Sequence, residues 1–272
     1  MTRRDAHRGE PEIVVFGRHP VEEALRSRGA EVSRLAIVKG RAAADRKVFR
    51  RLAHEHSIPL DEIPRTEMDR LTSASRHDQG MAAVVRLLRV IELDAFLASL
   101  TGTAARRPVR VIGLDGVTNS QNIGMVVRSI VGAGVDGPLW PMLGQPWING
   151  LVVRAASGAI FECPILRCES IQAGIAALQG AGFKTFGLAA ESAQSLFAAP
   201  PPHRAAFFLG GERAGLSEAI RAQVDEIVAI PMAGRLESLN VAVAAGLVAF
   251  HAAGLLSSAL LEARHQSGES NR

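Results

Sequence analysis

The sequence predicts an α/β protein of two domains, the larger and C-terminal one built on a mostly parallel sheet. Short apolar runs alternate with stretches of helical spacing along nearly the whole chain. From Val109 onward those runs are almost free of polar residues, as in strands covered on both faces. Between the two regions, Thr101-Gly102-Thr103-Ala104-Ala105-Arg106-Arg107-Pro108 has the composition of a linker. The expected division is a tail at 1–11, a small domain at 12–88, a linker at 89–107, a larger domain at 108–264 and a tail at 265–272.

In the small domain, Ile13-Val14-Val15-Phe16 reads as a strand and His19 to Leu25 as a helix opened by Pro20. Leu35 to Val38 is a second strand. Asp45 to His56 places Val48, Leu52 and Ala53 at helical spacing, with Arg46, Lys47, Arg50 and Arg51 around them. Met81 to Val85 is a third strand, and Gly80 before it suits a positive φ. Asp94 to Leu100 leaves room for a turn or two of helix. In the larger domain strands are expected at 109–114, 137–140, 161–165, 184–189, 206–209 and 226–230. Helices are expected at 122–131, 148–157, 170–181, 216–223 and 240–260. The last begins Val241-Ala242-Val243-Ala244-Ala245-Gly246-Leu247-Val248-Ala249-Phe250, with almost no polar face, so burial on all sides is expected.

Composition narrows the function. At 47% hydrophobic the 272 residues can build a sizeable core, which excludes wholesale disorder. Aromatics are 4% and Tyr is absent, so a nucleic-acid surface would rest on Arg more than on stacking platforms. Residues 1–107 carry 20 basic and 15 acidic side chains, residues 108–272 carry 11 and 12, so the first part suits capture of a polyanion. Cys163 and Cys168 are too few for a disulfide framework or a four-cysteine zinc site, and no H-E-x-x-H spacing occurs, so no metal is expected. With no apolar run of membrane-spanning length and a polar start, a cytoplasmic protein is expected. A dinucleotide-binding oxidoreductase would need G-x-G-x-x-G after a strand, and Gly132-Ala133-Gly134 stands at a helix end instead.

Three stretches carry candidate chemistry. Asn119-Ser120-Gln121-Asn122-Ile123-Gly124-Met125-Val126-Val127-Arg128 is a helix start in which Asn122 suits either the N-cap or a hydrogen bond that orients Arg128 or a ribose, and Asn119 is a poorer candidate. Arg128 stands in an otherwise apolar helix, where it must snorkel, pair with a carboxylate or face a cleft and hold phosphate. Phe207-Phe208-Leu209-Gly210-Gly211-Glu212-Arg213-Ala214-Gly215-Leu216-Ser217 is a strand running into a turn whose glycines let a ligand approach the backbone. Glu212 there suits either a helix N-terminus or a cationic or hydroxyl-bearing ligand. In Ile230-Pro231-Met232-Ala233-Gly234-Arg235-Leu236-Glu237-Ser238-Leu239-Asn240, Pro231 stops a strand, and Ser238 and Asn240 both suit the cap of the last helix.

In this order the stretches resemble the SpoU (TrmH) family of RNA ribose 2′-O-methyltransferases, of the SPOUT class, matching N-x-G-x-x-x-R, G-x-E-x-x-G-L and I-P-M…S-L-N-V. His77-Asp78-Gln79-Gly80-Met81 resembles the family's H-Q-G signature with Asp78 inserted. The resemblance covers roughly Pro11 to Phe250. It implies a trefoil-knotted methyltransferase domain behind a small substrate-binding domain similar to an RNA-binding ribosomal protein. It implies S-adenosyl-L-methionine as cofactor, contacted by the backbone of Gly210, Ile230 and Leu239, with Leu209 and Met232 in the same pocket. Arg128 would be the catalytic arginine, with Asn122, Glu212, Ser238 and Asn240 beside it. Where the family usually has a small hydroxyl residue, this chain has Ala242. The implied partner is RNA, ribosomal RNA favoured over tRNA by the two-domain layout. The alternatives are a tRNA ribose 2′-O-methyltransferase and a non-catalytic RNA-binding protein. A homodimer through the C-terminal domain is implied too, the arginine of one subunit near the other's cofactor.

Overall fold

The computed structural model describes residues 12–73, 78–103, 106–212, 214–233 and 238–256. The expected tails, His77, Arg213, Gly234–Glu237 and the expected end of the last helix at 257–260 lie outside the described residues. The chain divides into two compact units, one comprising Met1–Val90 and Trp147–Cys163, the other Ile91–Pro146 and Pro164–Arg272.

The first unit holds β1 (Ile13–Phe16), α1 (Arg18–Arg26), β2 (Ala30–Val38), α2 (Ala43–His56), β3 (Leu60–Ile63), α3 (Arg65–Thr72) and β4 (Met81–Leu87). Its sheet order is β1-β4-β2-β3. β4 runs against both neighbours and β2 parallels β3, so β1, β2 and β3 point the same way. Phe16, Ala36, Ile63, Met68 and Ala82 form an apolar cluster. β3 and α3 were not legible as elements: β3 is an edge strand burying only Ile63, and α3 turns only Met68 and Thr72 inward.

Asp78 closes the turn between α3 and β4. It is 0% exposed. Its carboxylate accepts from both terminal nitrogens of Arg65 at 2.8 and 2.7 Å. It also accepts from the Gly80 N–H at 2.6 Å and the Thr72 hydroxyl at 3.1 Å. Gly80 has the expected positive φ, 67°. Burial alone would push the Asp78 carboxyl up; the bonds from Arg65, Gly80 and Thr72 outweigh it and hold the group below its ordinary value.

The second unit holds β5 (Val90–Glu92), α4 (Leu93–Ser99), β6 (Val109–Asp115), α5 (Ser120–Ala133), β7 (Gly137–Pro141), β8 (Ile165–Cys168), α8 (Ile171–Gly180), β9 (Lys184–Leu188), β10 (Arg204–Gly210), α9 (Glu218–Gln223), β11 (Glu226–Val228) and α10 (Val241–Ala252). The sheet order is β11-β9-β10-β6-β7-β8-β5. Every pairing from β11 to β8 is parallel. The central strands β6, β7 and β10 are buried nearly throughout, which is why they read as unbroken apolar runs. α4, α8 and α9 supply side chains to a core with Val109, Val111, Ala206 and Phe208. α5 and α10 pack on each other and, between them, on β6, β7 and β10. β5 and α4 occupy part of the stretch expected to be a linker. No helix among the described residues is long and apolar enough to cross a membrane.

Residues 147–163 correct the expected element order. One helix at 148–157 and a strand from Phe161 were expected. The chain instead forms α6 (Gly150–Ala155) and α7 (Ala159–Glu162), so Phe161 is helical and the strand begins at Ile165. The break falls at Ser157 and Gly158, both left-handed with φ of 50° and 79°, a conformation that ends helices. α6 packs on β1 so closely that a Cβ at Gly150 would sit 2.3 Å from the Phe16 ring.

The Asp78 network yields a pH-dependent test. A carboxyl held low in the folded state stabilises above its unfolded pKa, near ~3.9, and loses that contribution as pH falls through the folded value. Arg65 is 40% exposed, so its share is screened. Asp78→Asn is expected to destabilise by about 2 kcal/mol at neutral pH, with the deficit narrowing in acid. Chemical denaturation of both proteins at pH 7 and at pH 3 measures it, and a deficit equal at both would contradict the account.

Candidate active site

Parallel strands place their carboxyl ends together, and the register makes that edge explicit. Leu209 of β10 is level with Leu188 of β9, which is level with Val228 of β11. On the other side Gly210 pairs with Asp115 of β6. The loops after β6, β9, β10 and β11 therefore leave from one edge, where open α/β sheets bind ligands.

Three side chains from these loops meet. The Nδ2 group of Asn122 donates to Oε1 of Glu212 at 2.8 Å. The Nδ2 group of Asn240 donates to the same Glu212 oxygen and to Oδ1 of Asn122, the latter at 3.2 Å. Asn122 is only 6% exposed, whereas Glu212 and Asn240 are exposed. Each of the three sequence motifs contributes one corner.

The helix starts explain how the corners are held. Of the two readings of Asn122, as a cap of α5 or as a hydrogen-bonding site residue, the cap is not the one it takes. Asn119 is the N-cap, its Oδ1 accepting from the N–H groups of Gln121 and Asn122 at 2.9 and 3.3 Å. Asn122 thus lies inside the first turn, with its side chain free for the site. At α10 the choice between Ser238 and Asn240 falls to Asn240, whose Oδ1 accepts from the Ala242 N–H at 2.9 Å. Ala242 needs no hydroxyl for this bond.

Gly210 is also where the loop packs on itself. A Cβ on Gly210 would sit 1.9 Å from the carbonyl carbon of Gly215 and 2.2 Å from the Leu216 nitrogen. The loop's own return path fills that space. Gly215, at φ 63°, donates its N–H to the Gly211 carbonyl at 2.8 Å. Asp115, which the sequence reading did not single out, accepts from the Ser217 N–H at 2.7 Å and ties β6 to the same loop.

Of the other expected site residues, Leu209 is buried, Ile230, Met232 and Leu239 are half-buried, and Ser238 is exposed. Arg128 does not join the triangle. It is exposed on the outer face of α5, in line with Gln121, Met125 and Gly132, while Asn122 faces inward. α10 likewise corrects the expectation of all-round burial. Val241, Ala242, Ala245, Val248, Ala249 and Ala252 are buried, but Val243 is 53% and Phe250 37% exposed.

Other polar clusters do different work. Arg110 is buried with its guanidinium donating to the carbonyls of Ala252, Val109 and His203, a tie across the sheet's amino edge. Burial pushes the thiols of Cys163 and Cys168 up to about 12, which leaves both inert at neutral pH. Among the described residues no group of three or more His, Cys, Asp and Glu side chains is placed to hold a metal ion.

A parallel sheet with a hydrogen-bonded polar cluster and half-buried apolar side chains at its carboxyl edge defines an α/β ligand-binding enzyme domain. The chain belongs to the SpoU methylase family: residues 109–250 match the model described as the SpoU rRNA Methylase family, and residues 14–90 match RNA 2′-O ribose methyltransferase substrate binding. It is accordingly an RNA ribose 2′-O-methyltransferase that uses S-adenosylmethionine. Relatives from Mycobacterium sp. (strain KMS) and Mycobacterium avium (strain 104), each described as an uncharacterized tRNA/rRNA methyltransferase, are 32% identical over 249 residues, 90% of this chain and 77% and 78% of theirs. The fold is shared with the SpoU methyltransferase AviRb of Streptomyces viridochromogenes in complex with AdoMet, at TM-score 0.71 and 24% identity over 93% of this chain and 91% of that one. It is also shared with an AdoMet-bound rRNA methyltransferase from Sinorhizobium meliloti, at TM-score 0.69 and 20% identity over 94% and 90%.

Because the Gly210 void is filled by backbone, even one methyl group is expected to force the loop apart. Gly210→Ala should destabilise by about 3 kcal/mol, at the upper end of overpacking costs. Gly132→Ala, facing only the tip of Phe250 at 4.0 Å, should be nearly neutral. Urea denaturation of the pair measures the contrast, and equal midpoints would contradict the role assigned to Gly210.

Proposed function

We propose that the triangle of Asn122, Glu212 and Asn240 marks the methyl-transfer site, and that it acts on structured ribosomal RNA within a homodimer. The observation that carries this reading is the meeting of three motif residues in one hydrogen-bonded cluster.

The residues present suit the methyl donor, which supplies an electrophilic methyl group on a sulfonium. Ile230, Met232 and Leu239, backed by the buried Leu209, offer apolar surface for a flat base, with backbone groups of Gly210, Ile230 and Leu239 to read its edge. Glu212 is exposed, and an anionic carboxylate there complements a cation or accepts from ribose hydroxyls. Ser238 and Asn240 line the same approach. Arg128 is assigned the RNA: a guanidinium is no base at neutral pH, but it holds phosphate bidentately and so aligns the ribose 2′-hydroxyl. Alignment of this kind supplies on the order of 7–11 kcal/mol of barrier lowering in favourable cases.

The dimer answers where Arg128 works. Met125 is 42% exposed and lies beside Arg128 on α5, and Val243 and Phe250 extend the apolar stripe along α10. An apolar stripe around one cation suits a twofold contact with a second copy. In that arrangement Arg128 serves the partner's triangle rather than its own. The trefoil knot belongs to the same proposal, as does a cytoplasmic location. Ribosomal RNA is favoured by the family model over 109–250 together with a dedicated substrate-binding unit; tRNA is the alternative.

Transfer of tritiated methyl groups tests the reading. The wild type is expected to label ribosomal RNA in preference to tRNA. Arg128→Ala and Asn240→Ala should each lose turnover by at least ~10²-fold. A mixture of the two should recover activity, because mixed dimers hold one intact site. Near-wild-type turnover by Arg128→Ala, or a mixture no better than its parents, would contradict the assignment.

A further inference from the structure

The solvent face of α2 has a charge pattern that works against helix stability. Arg46 and Arg50 are four residues apart, as are Lys47 and Arg51, so the helix carries two like-charged i,i+4 pairs, each unfavourable to it. At 100° per residue, Arg46, Arg50, His54, Lys47 and Arg51 fall within an arc of about 140° that contains no acidic residue. Phe49 and Ala53 face the core and border the arc on its Arg46 side. Lys47, Arg50, Arg51 and His54 are exposed, and Arg46 is half-buried.

Local carboxylates do not cancel this charge. Glu62 on the edge strand β3 accepts from Arg50 at 2.5 Å, and Arg51 lies 3.6 Å from Glu55. The Glu62 carboxyl is held below its ordinary value, first by the hydrogen bond from Arg50 and further by the charges of Arg50, Arg46 and Lys39. Among the described residues, Lys39, Arg46 and Lys47 have no carboxylate within ion-pair distance. Five cations therefore meet two acids across one exposed face of a unit whose matching family model is described as substrate binding.

We propose that the solvent face of α2, through Arg46, Lys47, Arg50 and Arg51 with Lys39 beside it, grips the phosphate backbone of the substrate RNA. The inference rests on the RNA-modifying reading above and adds the surface by which the first unit holds that RNA. Like charges held on successive helix turns match a ligand that is itself a row of charges, and each contact releases a counterion. The contact reads backbone rather than sequence.

The two like-charged pairs make the test clean. Arg46→Gln with Lys47→Gln removes one member of each pair, so the helix should be as stable as before or more so. Binding to a fluorescein-labelled RNA hairpin is measured by anisotropy across a salt series, with Tm and S-adenosylmethionine affinity recorded alongside. The expected result is RNA affinity lower by on the order of 10-fold and a log–log salt slope shallower by about 1.5, with Tm undiminished and cofactor affinity unchanged. Lys47→Glu, which forms a favourable pair with Arg51, should show the same opposition of a firmer helix and weaker RNA binding. Unchanged affinity and slope would overturn the surface while leaving the enzymatic reading intact. Loss of binding accompanied by a lower Tm would overturn it as well, since that reports unfolding. A wild type that binds no RNA would sink the substrate reading and this surface together.

Discussion

One oxygen of Glu212 accepts hydrogen bonds from two amides that stand 90 and 28 residues away in the chain. Asn122 is nearly fully buried, so its Nδ2 group must find an acceptor or suffer the full cost of desolvation. A carboxylate is a strong answer, each charge-assisted bond contributing about 1.5–3 kcal/mol. The first turn of α5, the loop from β10 to α9 and the start of α10 are thereby fixed to one another. Their caps reinforce this, since Asn119 and Asn240 each satisfy N–H groups at the helix starts. The glycine turn completes the frame: Gly210 has no side chain because Gly215 and Leu216 pass through that space.

With these starts pinned, the outward faces of α5 and α10 follow. A helix that turns Asn122, Ile123, Val126, Val127 and Ile130 inward presents Met125 and Arg128 outward. The inner face orders the cluster. In the first unit, α2 likewise buries Phe49 and Ala53 and carries cations on its exposed face.

Much of this was legible in the sequence. The central strands stand out because both faces are covered, and Asn122, Glu212 and Asn240 were each singled out before their meeting was visible. What was not legible depended on neighbours. β3 has a polar middle because an edge strand buries little, so its Leu-Asp-Glu-Ile carries no periodic signal. Asn119 and Asn122 are both competent caps, and only the acceptor from Glu212 decides between them. Asp78 looked like an insertion in a motif; its meaning lies with Arg65 and Thr72 in the helix before it. α10 is apolar all round, but burial is a property of its surroundings, and Val243 and Phe250 on it are exposed.

The central claim is that Asn122 and Asn240 act as one unit through Glu212 to shape the cofactor site. A double-mutant cycle on S-adenosylmethionine affinity addresses it directly, using calorimetry on the wild type, Asn122→Ala, Asn240→Ala and the double variant. Residues in one hydrogen-bonded network are expected to couple, so the double variant should lose less than the two singles add to, by about 1 kcal/mol or more. Strictly additive losses, or no loss in any of the three, would contradict the account.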